Sequence, residues 1–126
     1  MNKLALIAGA VTLAGSMALA EDTTMHAQII TYELKDVDQA FYLENMVNPD
    51  AVFLAEYPGL LSKVWLADEA TNTYGGFYMW ESKAAMDAFM VSDLVAAVVS
   101  RPYVTNVKSV DWSVNSDASR VTHAIN

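Results

Sequence analysis

Lys63, Trp65, Tyr78 and Trp80 are the residues of this chain whose types and spacing best suit chemistry. They fall in two strand-like runs, Leu60 to Ala67 and Tyr74 to Trp80. Alternation puts them, with Leu61, on one parity. The other parity carries Leu60, Val64, Leu66, Phe77 and Met79, all apolar. A one-residue slip would exchange the two sets, so each belongs to one side of a sheet. Rings with a few polar groups wall the usual small-molecule pocket, and a lysine among them can stack on a ring as a cation. The expectation is that the aliphatic set lies under helices and the rings face away. A second subunit's sheet would then cover the rings in a homodimer, leaving a hollow between.

Other chemistries find little support. The chain has no cysteine, which removes disulfides, thiolate metal sites and a thiol nucleophile. Its two histidines, His26 and His123, are far apart in sequence and make no metal triad within a chain. One axial histidine could hold haem, but neither falls on a well-marked barrel strand. There is no nucleophile elbow, no phosphate-binding loop and no dinucleotide fingerprint. Asp68-Glu69 reads as solvated loop charge. The methionines sit at core spacing.

The elements needed to position these residues read as strand, helix, strand, strand, helix, strand. Ile29 to Tyr32 is a β-branched and aromatic cluster within a strand from Met25 to Leu34. Asp36 and Asp38 offer helix caps. Phe41, Leu43, Met46, Val47, Phe53 and Leu54 then recur at helical spacing up to Tyr57. Asn48-Pro49 predicts a break or kink there. Pro58-Gly59 ends the helix, and the hairpin follows across Asp68 to Thr73. Gly75-Gly76 predicts a bulge or a close backbone approach. Ser82 caps a helix with Ala85, Met86, Phe89 and Met90 on one face. Ser92-Asp93 caps a shorter one through Val99, and Arg101-Pro102 breaks it. Val104 to Val114 is the last strand. This order predicts a ferredoxin-like α+β domain, with helices on one face of a four-stranded antiparallel sheet.

Length and composition agree with one such domain. The chain has 126 residues, 54% of them hydrophobic and 17% charged, with a net charge of −8. That is too apolar for disorder and too acidic for a nucleic-acid surface. Residues 1–20 read as a signal peptide: Lys3, an uncharged apolar run, then Ala18-Leu19-Ala20 before Glu21. Cleavage after Ala20 would leave 106 residues and a bacterial periplasmic or secreted protein, with no membrane attachment once the leader is gone. A transmembrane anchor is the rival reading, at the short limit for a span. The domain is expected over 21–114. Residues 115–126 are expected as a flexible tail or an arm lying on the partner.

The run Pro58-Gly59-Leu60, Lys63-Val64-Trp65, Tyr74-Gly75-Gly76, Tyr78-Met79-Trp80, with Ala84 and Ala85, resembles the YdhR-like monooxygenases of the dimeric α+β barrel superfamily. The resemblance covers about residues 25–115 and is strongest over 57–90. It implies a homodimeric barrel enclosing a cavity. It also implies oxidation of a small aromatic or enolic compound by dioxygen, without metal, flavin or haem. Such chemistry needs a dry cavity, a donor to an enolate and a proton acceptor. Trp65, Tyr78 and Trp80 would line the substrate site, and Tyr32, Lys63 or His26 would supply the polar role. A leader peptide departs from the family pattern and leaves open a different substrate, or none.

Each assignment has a plainer rival. The three rings could be interface packing, Lys63 a snorkelling surface residue, His26 an exposed residue near the mature N-terminus, and Tyr32 a core residue. The alternative functions are a non-enzymatic periplasmic binder of a small hydrophobic ligand, and a purely structural dimer.

Overall fold

The computed structural model describes residues 24–126. The signal peptide expected over 1–20 lies outside the described residues. Strand β1 spans His26–Leu34, helix α1 Gln39–Tyr42 and a π-helical turn Leu43–Val47, leading into α2, Asn48–Leu54. Then come β2 (Leu60–Asp68), β3 (Thr73–Trp80), α3 (Lys83–Met90), α4 (Asp93–Val99), β4 (Val104–Ser113) and α5 (Ser116–Val121). The sheet order is β2-β3-β1-β4, antiparallel throughout. This is the expected ferredoxin-like α+β arrangement. Among the described residues, no helix is long and apolar enough to cross a membrane.

Side-chain caps start the helices where the sequence places them. The Asp38 carboxylate accepts from the Phe41 N–H, the Ser82 hydroxyl from Ala85 and the Ser92 hydroxyl from Val95. Each satisfies one N–H left unpaired in a first helical turn. Pro49 does not break the chain's helix. It has no N–H to donate back one turn, and the preceding turn widens into the π form. That widening suits a stripe spaced by fours: Tyr42, Met46, Asp50 and Leu54 point inward. Phe41, Leu43 and Phe53, expected on the apolar face, are instead exposed.

The glycine pair makes close approaches without a bulge, since register runs unbroken through both residues. Gly75 has φ 143°, and a Cβ there would stand 1.9 Å from the Ile30 carbonyl oxygen. The bulge in the hairpin lies on β2, between Leu60 and Ser62.

The two faces of the sheet are the reverse of the expectation. Tyr78 and Trp80 lie under the helices, with Lys63 and Trp65 on the same face by register. Val64 and Phe77 occupy the open face with Val110 and Trp112, all exposed. Both parities of the hairpin carry large apolar side chains, so alternation alone does not say which one the helices cover. The decision comes from β1, whose His26, Gln28, Ile30 and Tyr32 all turn inward. Fully buried Gln28 accepts the Trp80 Nε1–H through Oε1 at 2.9 Å. Its amide in turn donates to Ser109 Oγ at 3.0 Å. Trp80 therefore buries its large apolar area without orphaning its N–H. Its ring lies parallel to Tyr78 at 5.9 Å, and Phe89 of α3 meets it at 5.0 Å.

Residues 115–126, expected as a flexible tail or a dimer arm, carry α5 over Ser116–Val121. Asn115 caps α5 through an Ala118 N–H bond of 3.1 Å. Beyond it, His123 to Asn126 share a recess on the same chain with Met25, Leu61, Ser62 and Met79.

Candidate active site

Between the sheet and its helices lies a cavity of about 60 Å³. That is several times the space one water needs, and enough for part of a small ring. Strands supply its floor: Ile30 and Tyr32 from β1, Lys63 and Trp65 from β2, Tyr78 from β3. Met46, Asp50 and Leu54 descend from the π turn and α2. Phe89, Met90, Leu94, Val95 and Val98 close it from α3 and α4. A groove of about 220 Å³ adjoins it between α2 and β2, and Leu54, Lys63 and Trp65 line both spaces. β2 is an edge strand, so this groove lies at the side of the sheet.

Lys63 is the unusual member. Its Nζ sits 3.2 Å from the centroid of the Trp65 ring and 4.5 Å from that of Tyr78. Among the described residues, no hydrogen bond or ion pair reaches this amine. Gly76 makes the pose possible, because a Cβ there would fall 2.4 Å from Lys63 Cε. Burial strips water from the ammonium and lowers its pKa from 10.5 to about 7, against a smaller opposing pull from Asp50. The amine is therefore present in both charge forms near neutral pH.

Asp50 is 8% exposed on an otherwise apolar stripe. Arg101 approaches its Oδ2 at 3.4 Å. Sequence reasoning missed this carboxylate. Its signal is an acid one turn from Met46 and one turn from Leu54, where a hydrophobic residue is the norm. The Tyr32 and Tyr42 hydroxyls share a 2.6 Å hydrogen bond in which either can donate. Burial first, and then the neighbouring phenol, raises the pKa of Tyr32, while burial raises that of Tyr78. Both remain neutral hydroxyls at physiological pH.

Four of the six residues singled out from the sequence thus meet in one cavity: Tyr32, Lys63, Trp65 and Tyr78. They do so within a single chain, not between two sheets as expected. Trp80 lies behind Tyr78 and off the cavity wall, because its N–H is held by Gln28. His26 is neither exposed nor in the cavity. It is buried at one end of β1, with Nε2 2.6 Å from Asp111 Oδ2. Among the described residues, no group of three histidine, cysteine or acidic side chains could hold a metal ion.

A ferredoxin-like domain with an apolar cavity lined by an amine, a carboxylate and phenols is an α+β protein with a candidate site. The chain belongs to the family described as "Putative mono-oxygenase ydhR", which it matches over residues 30–125. Solved structures share its fold. The NE2512 protein of unknown function from Nitrosomonas europaea is 15% identical, with a TM-score of 0.61, covering 75% of this chain and 93% of its own. SnoaB, a cofactor-independent oxygenase from Streptomyces nogalater, is 16% identical, with a TM-score of 0.57, covering 73% and 94%. The ActVA-Orf6 monooxygenase of Streptomyces coelicolor, solved with Nanaomycin D, is 19% identical, with a TM-score of 0.56, covering 75% and 91%. A search of curated proteins finds no match.

Proposed function

We propose that this protein is a cofactor-independent monooxygenase that oxidises a small aromatic or enolic compound with dioxygen. Family membership supports a monooxygenase-like role. The observation that carries the finer reading is the Lys63 amine, held against Trp65 in a cavity with no acceptor of its own. A neutral phenol or enol enters with its ring against the apolar wall. The Lys63 amine takes its proton, and the ammonium so formed stabilises the phenolate or enolate. The Tyr32 hydroxyl adds a donor, and Asp50 favours the charged form of Lys63. The substrate carbanion then passes an electron to dioxygen, and the two radicals join as a peroxide anion, which takes the proton back from the Lys63 ammonium to give a hydroperoxide. Loss of water leaves a carbonyl, so one oxygen atom stays in the product and the other leaves as water.

The exposed sheet face, with Trp112 at 55% exposure, supports a homodimer in which two such faces meet. We further propose export, with the mature chain starting at Glu21. The test of activity is oxygen uptake with a panel of phenols and quinols, repeated with Trp65→Ala and Tyr78→Phe. Uptake that falls in both variants supports the oxygenase. Tight binding of a panel member without uptake would make the protein a binder instead.

A further inference from the structure

We propose that Lys63 also forms a reversible imine with small, flat, apolar aldehydes or ketones whose carbonyl end reaches into the cavity. The proposal goes beyond oxygenation and rests on the same cavity being a ligand site.

The geometry is that of an amine held on ring faces with no hydrogen-bond or ion-pair partner among the described residues. The amine ends a chain laid across Gly76, and the Trp65 and Tyr78 rings flank it. No carboxylate or carbonyl among the described residues bonds to it. The other lysines of the described chain, Lys35, Lys83 and Lys108, stand in solvent. A lysine desolvated in an apolar pocket keeps the unprotonated amine that attacks carbonyl carbon. Burial also depresses its basicity, which enlarges that neutral fraction near pH 7.

The cavity's largely apolar wall favours a neutral ligand over an anion. Asp50 faces the same space, so a carboxylate ligand would meet a carboxylate. A carbonyl compound brings no charge. The Lys63 nitrogen lone pair forms a bond to the carbonyl carbon, and the oxygen takes a proton to give a carbinolamine. That hydroxyl leaves as water, with Asp50 or Tyr32 in the cavity to relay the proton, and the C=N bond forms. Oxidant and reductant play no part.

The test treats the folded chain with benzaldehyde and cyanoborohydride at neutral pH without oxygen, then maps the labelled lysines. Lys63 should be labelled at least about ten-fold faster than Lys35, Lys83 and Lys108, as its lower basicity requires. In Lys63→Arg the exposed lysines should label as before. A pyrene aldehyde, too large for the cavity, should label only the exposed three. Labelling of Lys63 no faster than of the exposed lysines, or equally by the large aldehyde, overturns the proposal. Oxygen uptake is read separately, so either activity can fail while the other stands.

Discussion

Gly76 and Lys63 occupy one space: a side-chain carbon on Gly76 would sit 2.4 Å from Lys63 Cε. The glycine on β3 is what lets the lysine on β2 lie across the sheet with its amine over Trp65. Gly76→Ala should push the flexible lysine chain aside and press lightly on the Tyr78 ring, whose Cε1 would lie 3.1 Å from the new carbon. We expect stability to change by less than about 1 kcal/mol, while oxygen uptake falls about ten-fold or more from misplacement of the amine. Gly75→Ala is the contrast. Its positive φ and the Ile30 carbonyl leave no room, so a loss of about 3 kcal/mol or more is expected in urea unfolding.

The depressed basicity of Lys63 makes stability depend on pH. Between about 7, its folded value, and 10.5, its ordinary value, the unfolded chain holds a proton that the folded chain lacks. Stability from this group therefore rises with pH through that window, and below it the folded state carries the full cost of a buried ammonium. Lys63→Met should be more stable than the wild type at pH 6, by about 2 to 5 kcal/mol, the lower end reflecting the partial exposure of the side chain. The gap should shrink as pH approaches 10. Urea unfolding at three pH values checks this, and a gap that widens with pH would contradict it.

Trp80 is under the helices because Gln28 meets its N–H. Gln28→Leu should cost about 1–3 kcal/mol by orphaning that group and losing the Ser109 bond. Trp80→Phe in the same chain should recover part of the loss. A double-mutant cycle with no coupling would show that the pair does not set the face.

The element order, the caps at Asp38, Ser82 and Ser92, and the hairpin are legible in the sequence because each depends on neighbours in the chain. The sheet's orientation is not. Its hairpin carries large apolar side chains on both parities, and the deciding partner, Gln28, is 52 residues from Trp80 in sequence. Asp50 was hidden for a related reason. The π turn shifts the inward stripe to Tyr42, Met46, Asp50 and Leu54, and a regular helical period does not pick out that set. Of the site, Tyr32, Lys63, Trp65 and Tyr78 were readable as residue types, but the cavity they share was expected on the wrong side of the sheet.

Reversal of the faces moves the expected interface to Val64, Phe77, Val110 and Trp112. Native mass measurement should give a dimer at micromolar concentration. Trp112→Asp should shift it to a monomer while leaving the helix-side cavity folded, as judged by near-ultraviolet circular dichroism. A wild-type monomer would contradict the proposed homodimer.

The most direct test of the central claim compares oxygen uptake in the wild type, Lys63→Met and His26→Phe, using whichever phenol or quinol the wild type oxidises. The cavity account predicts a loss of about 100-fold or more in Lys63→Met, as for removal of a proton acceptor, and little change in His26→Phe. Full turnover by Lys63→Met, or its abolition in His26→Phe, would place the chemistry elsewhere in the molecule.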